Sequence, residues 1–286
     1  MTHIAQKILV LSITICLQVI TYRVVLYPYV FTWGASEAET QMSLPGDSFA
    51  DTISSTRAIS IGAPKEEVWK WIVQLGADRG GFFSYTFIEK FLGYESREKS
   101  DLFDQTFDME VGRIVPGSLD ESKSAIIFNF PVLEVESGSY YVLENWGTFY
   151  LIELNENSTR LIVRTHEAAL KDISSIIESY IGMGFHYLME RRMLIGFKSV
   201  IEQGEEPSFV ADMVWLTGML LSFVCILMQL ILCRGRTNHI ISIILSNLWL
   251  FPLLILTPSP LYSTGFLLIT CFYLFLIIKR RQDSLF

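Results

Sequence analysis

Arg164 and His166 alternate with Val163 and Thr165, so a strand through them turns both toward one face. If that face looks into a cavity, they are polar anchors for a ligand head group, or positioning and proton-transfer groups on an apolar substrate. If it looks into water they do little. Apolar residues occupy both faces of the strand, so alternation leaves both readings open. His186 and Glu190 lie one helical turn apart, a spacing open to a metal site or an acid–base pair with His166. A lone His-x-x-x-Glu lacks the zinc-protease pattern, and the favoured reading is a partly exposed helix face with Arg191 and Arg192 as partners. Asp78-Arg79-Gly80-Gly81 resembles a loop whose backbone N–H groups cradle an anion, but it lacks the spacing and lysine of a phosphate loop. An interhelix turn held by an Asp–Arg contact is the favoured alternative. No serine has a nucleophile-elbow context and no paired carboxylates stand out, so no catalytic residue, metal or cofactor is assigned.

The elements that must position these residues follow from hydrophobic period. Thr56-Arg-Ala-Ile-Ser-Ile61 alternates as a strand, and Gly62-Ala-Pro64-Lys-Glu-Glu67 opens a helix with acids near its positive end. Val68, Trp69, Ile72, Val73 and Leu75 recur at helical spacing until Gly76 stops the run. Ser84 to Leu92 reads as a second short helix. Short strands follow at Arg113–Val115, Ala125–Val135, Ser139–Asn145, Gly147–Leu154 and Arg160–Glu167, with a five-residue polar connection at 155–159. Asp172 to Gln203 returns to helical spacing, interrupted by Gly182 and Gly184. This order predicts an α+β domain in which the long C-terminal helix covers one face of an antiparallel sheet and leaves an apolar cavity beneath it. Trp71, Tyr85, Phe128 and Trp146 are divided between core packing and the lining of that cavity. With Arg164, His166 and His186 they make up the expected ligand-binding set.

Charge separates this domain from the rest of the chain. Residues 35–209 hold 28 Asp and Glu against 15 Lys and Arg, a net −13, whereas the remainder is about +5. So acidic a domain is repelled by nucleic acid, whose phosphates are bound by clustered Lys and Arg. Cys16, Cys225, Cys233 and Cys271 all fall in the apolar remainder, where thiols act as small hydrophobes.

That remainder reads as membrane-spanning. Met213 to Cys233 supplies the roughly 20 apolar residues that cross a bilayer, Ile240 to Leu256 is just long enough with Pro252 near its end, and Leu261 to Ile278 makes a third crossing. Arg234, Arg236 and Lys279-Arg-Arg281 mark cytoplasmic ends. Ile8 to Tyr22 is short enough for a cleaved signal peptide, yet the apolar run continues past Arg23 to Trp33, which favours an uncleaved anchor. The expected layout is an anchor over 1–34, the globular domain over 35–209 outside the cytoplasm, three all-α transmembrane helices over 210–286 and both termini inside. A cytoplasmic domain behind an interfacial N-terminal helix is the alternative.

The domain resembles the SRPBCC superfamily of START-like, polyketide-cyclase-like helix-grip domains. The residues that carry the resemblance are Trp33-Gly-Ala-Ser-Glu37, Leu44-Pro-Gly-Asp47, Thr56 to Trp69, Trp71 to Gly76, Asp78-Arg-Gly-Gly-Phe-Phe-Ser-Tyr85 and the hairpin 147–167. The resemblance implies a sheet gripping a long helix around a hydrophobic pocket, with no single reaction attached. The leading expectation is a membrane-tethered domain that binds a hydrophobic small molecule or lipid without catalysis. A membrane protein that docks a partner through a domain with a filled cavity, and a cyclase- or hydrolase-like enzyme, are the alternatives.

Overall fold

The structure, a computed structural model, describes residues 3–91, 107–120, 122, 129–167 and 173–283. These fall into two compact units, one built from 1–30 with 208–286 and the other from 31–207.

In the first unit, α1 (His3–Ile20), six π-helical residues Thr21–Leu26 and α2 (Tyr27–Phe31) run on as one apolar stretch, Ile4–Phe31. The helix therefore continues through Arg23, whose guanidinium lies 4.3 Å from the Tyr27 ring centre.

In the second unit α3 (Glu37–Gln41) is held by a reciprocal cap: Ser36 Oγ accepts the Glu39 N–H at 3.2 Å and the Glu39 carboxylate accepts the Ser36 N–H at 2.7 Å. Then follow β1 (Thr52–Ile61), α4 (Lys65–Ile72), α5 (Thr86–Phe91), β2 (Ile114–Pro116), β3 (Asn129–Glu136), β4 (Tyr140–Leu143), β5 (Gly147–Asn155), β6 (Ser158–Glu167) and α6 (Ile173–Gln203). The expected strand 125–135 is described from Asn129 onward; 125–128 lie outside the described residues. β5 and β6 are joined by two residues, Glu156 and Asn157, where a five-residue connection was expected, because the polar residues on either side continue the ladder. α6 runs unbroken through Gly182 and Gly184.

The described strands form one antiparallel sheet in the order β1-β6-β5-β4-β3-β2, with the first strand brought beside the last. One face is covered by α4, α6 and the loop between α4 and α5: Trp69, Ile72, Phe83, Phe149, Leu161, Val163, Leu194 and Phe197 share a single core. The opposite face is covered by the segment before β1, where Leu44 packs with Ala58, Ile162, Tyr150 and Ile152. Burial on both sides explains why β6 shows apolar residues on both faces. Two of the quoted motifs serve this cover. Gly34, at φ +72, passes so close to β1 that a Cβ would meet the Ala58 carbonyl oxygen at 2.1 Å, and the Trp33 carbonyl accepts the Ala58 N–H at 3.1 Å. Gly46, at φ +85, leaves room for Val142 and Thr148, while Thr148 Oγ1 donates to the Pro45 carbonyl at 2.6 Å.

The chain returns to the first unit through α7 (Phe209–Leu232), α8 (Arg236–Leu248), α9 (Leu250–Leu254) and α10 (Pro260–Asp283). α8 and α9 part at Trp249, one residue past Leu248, whose carbonyl would face the Pro252 ring and finds no N–H there. The four stretches Ile4–Phe31, Phe209–Leu232, Arg236–Leu254 and Pro260–Asp283 are each long and apolar enough to cross a membrane. Small and polar side chains join them, as they must where apolar surface gives no preference for helix over lipid. Gly218 lies against Ser263, Gln229 Nε2 donates to the Thr270 carbonyl at 2.8 Å, and Gln18 Nε2 donates to Ser246 Oγ at 2.7 Å.

Candidate functional site

Leu161, Val163 and Thr165 share the face of β6 turned to α6, and Arg57, opposite Val163 in β1, shares it too. A cation buried there needs a counter-charge. Glu190 on α6 provides one: Arg57 Nη1 donates to Glu190 Oε1 at 2.6 Å, and both side chains are fully buried. The other carboxylate oxygen lies 2.7 Å from His186 Nε2 and accepts from Trp146 Nε1 and Thr165 Oγ1, both at 3.2 Å. Burial alone would raise the Glu190 pKa, but the charges of Arg57 and His186 and the hydrogen bonds from both outweigh it and hold it down at about 2. Glu190 is thus a buried, ionised carboxylate. The Tyr187 ring lies between Arg57 and Arg191, 5.1 Å and 5.0 Å from the two guanidinium carbons.

This pair borders a cavity of about 250 Å3. Its apolar wall is Phe82, Phe130, Trp146, Met189 and Met193, and its polar groups include Ser84, Asn145, His186 and Glu190. The wall is an aromatic cluster in which the Trp146 ring lies 5.0 Å from Phe130, tilted to it, and stacks 6.0 Å from Phe82. Trp146 occupies the tight β4–β5 corner, set by Asn145 at φ +64 and by Gly147, where a Cβ would strike the Arg164 carbonyl oxygen at 2.0 Å. The Asp78–Tyr85 block feeds the same wall. Phe82 lines the cavity, the Phe83 ring packs 4.4 Å from Phe197, and Ser84 Oγ donates to the Met189 carbonyl at 2.8 Å. Phe83 holds φ +53, a backbone setting that a bulky residue takes only when its surroundings fix it.

Of the expected ligand-binding set, Trp146 and His186 line this cavity. The favoured reading of His186 and Glu190 as a partly exposed helix face holds for His186, which keeps 30% side-chain exposure, and is corrected for Glu190, which is buried and pairs with Arg57 across the core. Arg164 and His166 lie on the other face of β6. Arg164 is buried beneath the 39–47 segment, donating to the carbonyls of Met42, Glu39 and Thr40, to Asp47 Oδ2 at 2.8 Å and to Thr56 Oγ1 at 3.0 Å. His166 Nε2 is 3.6 Å from Asp47 Oδ1, and burial lowers its pKa against the pull of Asp47. Trp71 donates to Glu67 Oε1 at 3.3 Å and packs edge-on to Phe83, outside the cavity lining. Tyr85 is buried with Phe87 and the Arg192 guanidinium against its ring. Phe128 lies outside the described residues.

The Asp78–Gly81 loop is no anion cradle, since the amides of Gly76, Arg79, Gly80 and Gly81 donate to backbone carbonyls within the loop and its flank. The turn is held by an Asp–Arg contact, as favoured, although the arginine is Arg113, 2.8 Å from Asp78 Oδ2; the Arg79 guanidinium stacks 3.2 Å from the Phe107 ring centre. Among the described residues no group of three His, Cys, Asp or Glu side chains is placed to hold a metal ion. Arg57 and Thr165 are site residues that sequence reasoning missed, as was the pairing of Glu190 with Arg57. The available signal was Arg57 itself, a charge in register with Ile59 and Ile61 on the strand face that had to be apolar.

No protein-family model matches the sequence, and no curated protein does. Among solved structures, similarity is found to a Staphylococcus saprophyticus protein determined by X-ray crystallography, at 18% identity over 53% of this chain and 93% of that one, with a TM-score of 0.30. A conserved protein of unknown function from Enterococcus faecalis is 12% identical over 54% of this chain and 77% of that one, with a TM-score of 0.31. Likenesses of this size leave the chemistry of the site resting on its own geometry.

Proposed function

We propose that the 31–207 unit is a helix-grip domain of the SRPBCC type that binds a small, mostly apolar molecule carrying one polar group. One observation carries the reading: a cavity with aromatic and methionine walls ends at His186, whose ring is oriented by a buried carboxylate. Few polar groups in an apolar pocket fix orientation, while the wall contributes most of the attraction. At about 250 Å3 the cavity is below the ~300–1,000 Å3 of drug-sized ligand sites, so a ring or short chain suits it and a whole diacyl lipid does not. The four apolar helices support a tether that keeps this pocket at a bilayer, where apolar ligands concentrate. The test uses the full-length chain in detergent, with mass spectrometry of the small molecules it retains, beside Met189→Trp, which fills the cavity. A compound held by the native chain and absent from a folded Met189→Trp protein is expected. Identical profiles from the two would end the proposal.

The Glu190–His186 pair favours a second reading, acid–base catalysis on the bound molecule. With Nε2 held by Glu190, His186 Nδ1 is the nitrogen left to exchange a proton, which is the logic of a base oriented by a third group. On this reading native protein retains product and His186→Gln retains substrate, so the two proteins release different compounds. The same compound from both leaves simple binding.

A further inference from the structure

A second cavity, of about 280 Å3, lies wholly within the apolar helical unit and has a different chemistry. Three chain segments far apart in sequence converge on it: Gln6 and Lys7 from the start of α1, Leu232 to His239 from the α7–α8 connection, and Arg281 from the end of α10. Lys7, Arg234 and Arg281 give it three cations. Lys7 Nζ also donates to the Ile231 carbonyl, which fixes the ammonium at the mouth of the helix ends. His239 is the built part of the site. It lines the cavity and is over nine-tenths buried, its Nδ1–H donates to the Gly235 carbonyl at 2.8 Å, and its Nε2 is buried with no hydrogen-bond partner among the described residues. A buried ring nitrogen in that state is matched by a ligand hydroxyl. The chain around the cavity offers apolar surface for something longer: Ile8, Leu11, Ile231 and Ile240 are all exposed on these helices.

We propose that this pocket binds the headgroup of an anionic glycerophospholipid. The phosphate lies among Lys7, Arg234 and Arg281, a headgroup hydroxyl donates to His239 Nε2, and the acyl chains run along the exposed apolar faces. Basic pockets between membrane helices hold anionic headgroups because the phosphate is only partly hydrated there and each cation adds to its attraction. A hydroxyl set beyond the phosphate separates phosphatidylglycerol from phosphatidic acid, whose O–H is on the phosphorus held among the cations, and the apolar faces separate a lipid from free phosphate.

The experiment is native mass spectrometry of delipidated full-length chain, titrated with phosphatidylglycerol, phosphatidic acid and phosphatidylcholine, and with inorganic phosphate as competitor. Phosphatidylglycerol should bind at least about tenfold more tightly than phosphatidylcholine, with phosphatidic acid between them. At ~1 kcal/mol per basic residue, Arg234→Gln with Arg281→Gln should weaken phosphatidylglycerol about 25-fold. Lys279→Gln with Arg280→Gln, the same charge change on neighbours that do not line the cavity, should leave it within about twofold. His239→Phe should abolish the preference for phosphatidylglycerol over phosphatidic acid, and this arm decides even if the double arginine variant fails to fold. Equal loss in the Lys279/Arg280 control, or equal binding of phosphatidylcholine, overturns the site. Displacement of phosphatidylglycerol by equimolar inorganic phosphate overturns the lipid assignment in favour of a soluble anion.

Discussion

Two buried arginines divide the labour of the domain, and a one-residue step along the sheet decides which does what. Arg57 faces α6 and neutralises Glu190 beside the cavity, while Arg164, on the opposite face, ties down the segment before β1. Removing one member of a fully buried pair strands a charge, so Arg57→Met or Glu190→Met should each cost about 3–5 kcal/mol, and the double variant much less than their sum. Thermal unfolding of the three proteins, followed by tryptophan fluorescence in detergent, measures the coupling; additive losses would contradict it. The pair also sets acid stability. Glu190 is held at about 2 in the fold against 4.5 as a free side chain, and Glu39, bonded by both ends of the Arg160 guanidinium, is also held at about 2. Folded values below unfolded ones mean that the unfolded chain takes up protons first, so the stabilisation is complete above pH ~4.5 and is lost as the pH falls toward 2. Glu190→Gln should flatten that acid limb, which denaturation midpoints between pH 2 and 5 will show. Arg164→Met should cost about 2–4 kcal/mol, less than a fully enclosed pair because Asp47 keeps 21% exposure. Its signature is local: a glutamate-specific protease should cut at Glu37 and Glu39 well before the domain unfolds.

At the scale of elements, α6 is one helix with two kinds of glycine. Gly196 sits where the Phe83 carbonyl oxygen comes within 2.2 Å of an added Cβ, whereas Gly184 has nothing within 4 Å. Gly196→Ala should therefore destabilise by about 1–3 kcal/mol through backbone overlap, and Gly184→Ala should stabilise by up to ~1 kcal/mol by helix propensity. Opposite shifts in unfolding temperature from the same substitution in the same helix are the check. The contrast also marks what the sequence could and could not convey. Element types were legible, because the period of 2 in Thr56–Ile61 and the helical spacing from Val68 onward report local geometry. The antiparallel sheet and the cover of one face by the last helix followed from element order. The orientation of β6 was not legible, since the 35–47 segment buries the second face and erases the polar–apolar alternation that parity reads. Nor was the function of Glu190, whose partner Arg57 lies 133 residues away in sequence while its helical neighbours Arg191 and Arg192 suggested a local pairing. Trp146 and His186 line the cavity because a tight corner and a helix turn hold them there.

For the whole molecule, the charge asymmetry and the four apolar helices make a single topological statement. The basic ends Lys7, Arg234 and Arg281 gather at one cavity, which is the arrangement expected when stretches Ile4–Phe31, Phe209–Leu232, Arg236–Leu254 and Pro260–Asp283 alternate in direction across a bilayer. Short loops rich in Lys and Arg stay on the cytoplasmic side, so that end is predicted to lie inside, and the acidic 31–207 unit, reached by one crossing from each direction, outside. The chain is suited to a direct test because all four cysteines are in the helical unit and none is in the acidic one. In a background with those four replaced by Ala or Ser, Asn157→Cys puts one thiol in the exposed β5–β6 turn, and Asp283→Cys puts one at the exposed end of α10. A membrane-impermeant maleimide applied to intact cells should label the first within minutes and the second only after permeabilisation. Labelling in the reverse order would place the domain in the cytoplasm, and labelling of both from one side would remove a crossing. The first outcome also fixes where a ligand must come from: a pocket outside the cytoplasm, held at the bilayer by four helices, draws on apolar molecules that partition into the outer leaflet.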